Sequence, residues 1–198
     1  MFDPGSILGS TFFASREPVR NPLALKLVHE ARAIGSKEPS LIGSIGHRLV
    51  RGFLLSADAI LCNMKEGDIV EVTEYDPVRK TSLVIGMKGP SRFVALHWLA
   101  LQTNPDKLVT LYLCVESPPP GVSVFSSKLL HGSFEEAMEV ARALKASGKG
   151  TIFIDGAGLL MVTRDLETLP KDFEALLEAA RADAKKAKPK PKRKKKNK

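Results

Sequence analysis

The chain has 198 residues, 43% hydrophobic and 26% charged, which is the balance of one soluble globular domain with a proper core. No apolar run nears the ~20 residues of a membrane helix, and MFDPGSILGSTFFASREPVR lacks the basic start and long apolar stretch of a secretory signal, so a cytoplasmic protein is expected. The net charge of +8 is local: residues 185–198, KKAKPKPKRKKKNK, hold ten of the thirty Lys and Arg and no acid, leaving a body of twenty basic and twenty-two acidic residues.

Residues 1–21 are set apart as an N-terminal extension. Asn21-Pro22 can cap and start a helix, LALKLVHEARAI places Leu23, Leu27, Ala31 and Ile34 on one face, and Gly35 stops it. SLIGSIGHR and GFLLS read as strands, DIVEVT alternates as a half-buried strand does, and SLVIGM follows the turn YDPVRK. Ser91 is a candidate N-cap for RFVALHWLALQT, closed by Asn104-Pro105. KLVTLYLCV is almost wholly apolar, as a strand covered on both faces would be. Ser133 and Glu136 make a capping-box pattern before FEEAMEVARALKAS, which Gly148 ends. TIFID and GLLMVT are strands flanking Gly156-Ala157-Gly158, and Pro170 opens a last amphipathic helix with Phe173, Leu176, Leu177 and Ala180 as its stripe. The result is a layered α/β domain. Beyond Lys188, alternating Pro and Lys forbid a helix, so residues 187–198 are expected to be a disordered tail.

Few residues carry chemistry on their own. His97 is expected to be a helix residue with a local hydrogen bond, and Trp98 a core or interface residue; with Ser44 and Ser91, His97 is the candidate lining of a cleft. His29 and His131 look isolated at the surface. His47 beside Arg48 could meet an anion, although a solvent-facing strand end accounts for the pair. Asp68 and Asp155 stand too alone to make an acid/base pair. Gly156-Ala157-Gly158 leads into a strand and so lacks the helix-terminus donors of a phosphate loop. Cys62 and Cys114 read as free thiols of a reducing compartment, with a disulfide as the alternative, and no cation is identifiable that would activate Cys114.

Several stretches together resemble the class II aldolase/adducin family over residues 22–186. Pro90-Ser91 followed by His97 is similar to the family's Pro-Ser-Ser-Glu with a His four residues after the Glu. Asn104-Pro105-Asp106 stands where the family has a Pro-Asp pair before its metal-binding strand, and Gly43-Ser44-Ile45-Gly46-His47-Arg48 resembles Gly-Asn-x-Ser-x-Arg. Lys65–Val70 matches an acidic turn before a strand, and GTIFIDGAGLLMV a late strand. The resemblance implies a three-layer α/β/α domain on a largely antiparallel central sheet. It also implies an acid/base Glu and three zinc-binding histidines, and at those positions this chain has Phe93, Tyr112, Cys114 and Ala157. Phe and Ala neither transfer protons nor ligate, a phenol with a pKa of ~10 is a poor zinc ligand, and one thiolate is no chelate. The family's phosphate cradle is altered too, to Ser44, Gly46 and Arg92. The expectation is therefore a chain without metal or other cofactor and without zinc lyase chemistry. A homo-oligomer is expected by the same resemblance.

The tail supplies the remaining functional signal. Lys185, Lys186, Lys188, Lys190, Lys192, Arg193, Lys194, Lys195, Lys196 and Lys198 form a polyanion-binding arm with no aromatic residue for base stacking. A non-catalytic scaffold binding RNA or a ribonucleoprotein through phosphates is the leading expectation, with an anionic membrane surface as the competing partner. The alternative is an aldolase-family enzyme with a rebuilt site, a sugar-phosphate lyase or epimerase using residues such as His97, Cys114 and Tyr112.

Overall fold

Helix α1 (Pro22–Gly35) begins as its sequence dictates: the Asn21 side chain accepts from the Leu23 amide at 3.0 Å, and Pro22 fills a first-turn position that needs no amide donor. Leu27, Ala31 and Ile34 are fully buried beneath it. The computed structural model describes residues 9–187 and adds helices α2 (Val94–Thr103), α3 (Phe134–Ser147) and α4 (Leu169–Ala187).

The strands are β1 (Ser10–Ser15), β2 (Ile42–Arg48), β3 (Phe53–Ser56), β4 (Ala59–Ile60), β5 (Ile69–Asp76), β6 (Thr81–Ile85), β7 (Val109–Leu113), β8 (Ser123–Phe125), β9 (Thr151–Ile154) and β10 (Gly158–Thr163). They form one sheet in the order β1-β6-β5-β3-β2-β7-β10-β9-β8, with β4 beside β2. Every pairing is antiparallel except β1 with β6 and β8 with β9. The period of two along each strand divides the core. Ile45, Leu54, Leu111, Phe153, Leu159 and Met161 pack against α1 and α4. Leu55, Val70, Val72, Tyr112, Ile152 and Leu160 pack against α2 and α3 on the other face. Helices therefore cover both faces of a mostly antiparallel sheet, which is the three-layer arrangement expected.

Three details differ from the sequence expectation. The segment before residue 22 contributes edge strand β1, whose STFFAS has no clean alternation, so its parallel pairing with β6 sends no local signal. Helix α2 starts at Val94: Ser91 closes a turn ahead of it, its carbonyl accepting from the Val94 amide and its hydroxyl from the Phe93 amide. The reciprocal half of the α3 capping box is displaced, since Ser133 accepts from the Glu136 amide while Glu136 takes the Gly132 amide. Helix α4 runs on to Ala187, and the tail from Lys188 lies outside the described residues.

Candidate functional site

The positions at which the resemblance implied acid/base and metal chemistry meet where β7, β10 and the start of α2 converge. Tyr112 on β7 is completely buried, its ring centroid 3.9 Å from that of Phe93, itself 1% exposed. The Tyr112 hydroxyl donates to the Ala157 carbonyl at 2.5 Å, and burial pushes the phenol above its ordinary range, so it remains a neutral donor. Gly158 makes the approach feasible: at φ 147° it has no side chain, and a Cβ there would fall 2.1 Å from the Leu113 carbonyl oxygen and 3.0 Å from Tyr112 Oη. Two aromatic rings thus fill this space.

Cys114 follows β7 and is half-buried. Burial pushes its thiol up; the Arg92 guanidinium, through charge and a hydrogen bond, pulls the other way without reversing the shift, and Asp58 adds to the rise. The expectation that no cation adjoins Cys114 is thereby corrected, because Arg92 reaches it from the turn before α2 while lying over the Phe93 ring, 4.8 Å from its centroid. The thiol is nonetheless neutral, a weak hydrogen-bond donor and a poor nucleophile.

Ser44, Ser91 and His97, singled out as candidate cleft residues, are brought together, and all three are buried. They form a chain of side-chain hydrogen bonds with a single consistent direction. Asp58, exposed in the β3–β4 turn, can only accept, and it takes the Ser91 hydroxyl at 2.5 Å and the Arg92 amide at 3.3 Å. Ser91 accepts in turn from the Ser44 hydroxyl at 3.1 Å, and Ser44 from His97 Nε2–H at 2.9 Å. Thr110 then donates to His97 Nδ1 at 2.7 Å. The carboxylate at one end fixes the imidazole tautomer by this logic of donors and acceptors. Desolvation lowers the His97 pKa to about 3, in keeping with a neutral ring. The local bond expected for His97 is replaced by contacts with β2 and β7. Gly46 leaves room for them: a Cβ there would lie 2.8 Å from Thr110 Oγ1 and 3.4 Å from His97 Nδ1.

A cavity of about 410 Å³ opens beside this core, lined by Cys114, Val115, Glu116, Gly156 and Ala157. His131 stands at its rim, with Nε2 only 3.1 Å from where a Gly156 Cβ would sit. It is not the isolated surface histidine expected, since its Nδ1 lies 2.6 Å from Glu136 Oε1, a carboxylate only 3% exposed that also accepts from the Gly132 amide. A buried carboxylate therefore orients the imidazole and leaves Nε2 free. The other candidates are structural. Arg48 donates to the Leu101 and Asn104 carbonyls at the end of α2, while burial lowers the pKa of its neighbour His47, which bonds the Arg48 carbonyl. Asp68 accepts from Lys88 and the Lys65 amide, Asp155 accepts from Ser126, and His29 is exposed beside Glu30.

No family sequence profile matches the chain, and no curated protein sequence does so either. Solved structures do. YgbL of Klebsiella pneumoniae superposes with a TM-score of 0.63 at 17% identity, over 86% of this chain and 92% of the other. L-fuculose-1-phosphate aldolase of Thermus thermophilus gives 0.61 at 17% over 82% and 95%, and sugar-phosphate aldolase of Thermotoga maritima 0.65 at 16% over 86% and 99%. The fold is that of the class II aldolases. Within this class II aldolase fold, the residues present do not suit the zinc ion that the resemblance implies: Phe93, Tyr112 and Ala157 offer no ligand, and among the described residues no three His, Cys, Asp or Glu side chains gather to hold a metal. Among the described residues no helix is long and apolar enough to cross a membrane.

Asp58 and Thr110 had no sequence signal, because each depends on a partner distant in sequence, whereas Glu136 read only as a capping residue and His131 only as an isolated one until the turn at Gly132 joins them. The side chains of Lys185 and Lys186, and the tail cations from Lys188 to Lys198, lie outside the described residues.

Proposed function

We propose that the chain is a metal-independent protein of the class II aldolase fold, with a rebuilt cleft that acts on a small sugar-like carbonyl compound. The observation that carries this reading is a cavity lined by Cys114, Gly156 and Ala157, with the Glu136-oriented His131 against Gly156 and with Arg92 and Asp58 close enough to act on the Cys114 thiol, beside positions filled by Phe93 and Tyr112. His131 Nε2 is suited to accept a proton from the carbon next to a carbonyl, and the Arg92 guanidinium to stabilise the enolate oxygen that forms. Neither role needs a metal. His97 and Tyr112 are excluded from the reacting set, because both are buried and held by the fold. The solved structures that share the fold include sugar-phosphate aldolases, which favours a carbonyl compound as ligand.

The test is exchange of α-protons in heavy water, followed by NMR, for a panel of hydroxy aldehydes and ketones incubated with the full chain. Exchange that persists in chelator and is lost in His131→Gln and Arg92→Met is expected. No exchange with any compound would overturn the enzyme reading.

A second reading rests on the ten cations of residues 185–198 and the absence of acids among them: a scaffold whose arm holds RNA or another polyanion by its phosphates. It is compatible with either state of the cleft.

A further inference from the structure

Ser91 is an aimed donor. Its two acceptor sites are filled from inside the protein, by the Ser44 hydroxyl at 3.1 Å and the Phe93 amide at 3.1 Å. Its single hydrogen must therefore point outward. Ser44 cannot turn away, because His97 and Thr110 complete the chain behind it, all of them buried. Beside the Ser91 hydroxyl the Arg92 amide points the same way, toward the same Asp58 carboxylate. Convergent hydroxyl and amide donors are the chemistry of an oxyanion cradle.

The cradle already contains an anion, and it belongs to the chain. Asp58 places Oδ1 2.5 Å from Ser91 Oγ and Oδ2 3.3 Å from the Arg92 nitrogen, so its two oxygens use both donors. It also stands close enough to Tyr112 and Cys114 for its charge to add to the rise that burial causes in both. A phosphate group entering here would lose those two donors and meet a negative charge.

We propose that Asp58 is an internal plug and a specificity-determining residue: its carboxylate occupies the oxyanion cradle made by the Ser91 hydroxyl and the Arg92 amide, and so keeps phosphorylated compounds from using it. The ligand class rests on the proposed small-molecule cleft, but the plug itself can be tested without any substrate. Like charges placed together repel, and screening at this exposed turn limits the effect to about tenfold in affinity.

The probe is inorganic phosphate, titrated into the full chain and followed by amide chemical shifts. The wild-type protein is expected to show no saturable binding, whereas Asp58→Ala gains at least about tenfold, with shifts centred on Ser91 and Arg92. Asp58→Asn, which keeps an acceptor for Ser91 and so protects the fold, gains less in the same direction. The double variant Asp58→Ala/Ser91→Ala loses the gain. Wild-type binding equal to that of Asp58→Ala, no gain in either single variant, or a gain that survives loss of the Ser91 hydroxyl would each overturn the plug. These outcomes do not depend on α-proton exchange, so failure of the plug and failure of the enzyme reading are distinguishable.

Discussion

Replacing His97 by Gln separates the weight of the buried polar chain from that of ordinary packing. Gln can still donate to Ser44 but cannot easily accept from Thr110, so one buried hydroxyl is left without a partner, at about 1–3 kcal/mol near pH 7. The sign of the pH effect follows from the pKa. In the folded chain it lies at about 3, against 6.5 for a free imidazole, so between these values the unfolded chain binds a proton that the folded one refuses. Stability attributable to the neutral ring is complete above pH 6.5 and is lost as the pH falls toward 3. The slope is about 1.4 kcal/mol per pH unit, so about 2 kcal/mol disappears between pH 6.5 and 5. Gln has no such dependence. Urea denaturation of both proteins across pH 4.5–7.5 gives the difference, in which every other titrating group cancels. The wild-type advantage at neutral pH should shrink by about 2 kcal/mol at pH 5. A difference that stays constant with pH would refute the desolvated, neutral imidazole.

Phe93→Ala should destabilise by about 3–5 kcal/mol, because the ring is buried against Tyr112 and its removal leaves a cavity under the start of α2; thermal denaturation checks this, and a loss below about 1 kcal/mol would mean that the ring does not fill the site. Truncation after Ala187 removes eight of the ten tail cations and spares α4, so retention of mixed RNA at low salt should drop while the melting temperature holds; RNA retention that is insensitive to the truncation would end the arm hypothesis.

The parts of the fold that announce themselves do so through local chemistry. Asn21-Pro22 and Ser133 with Gly148 mark helix ends because caps act within four residues. The apolar run of β7 shows that both its faces are covered, and the alternation of DIVEVT gives β5 its half-buried face. β1 and β8 are different: each joins the sheet through one parallel neighbour distant in sequence, Thr81–Ile85 and Thr151–Ile154, and neither has a pattern of its own.

At the site, substitution by residue type was legible and geometry was not. Phe93, Tyr112, Cys114 and Ala157 could be read by residue type as a poor zinc-ligand set, but how they pack together depended on the Gly158 approach. Ser44, Ser91 and His97 could be grouped by the resemblance, whereas their order in a directed chain depended on Asp58 and Thr110, which carried no motif. His131 and Glu136 are five residues apart, yet the pair looked like a surface residue and a cap until the turn at Gly132 brought them together. Arg92 next to Cys114 joins the turn before α2 to the end of β7, a contact that only the sheet creates.

The most direct measurement is the zinc content of the full chain after equilibration with excess zinc and exhaustive dialysis, compared with Cys114→Ala. With the implied metal positions filled by two rings and only one neutral thiol beside them, both proteins should retain far less than one ion per chain. One tightly held zinc per chain, lost on replacing Cys114, would contradict the account.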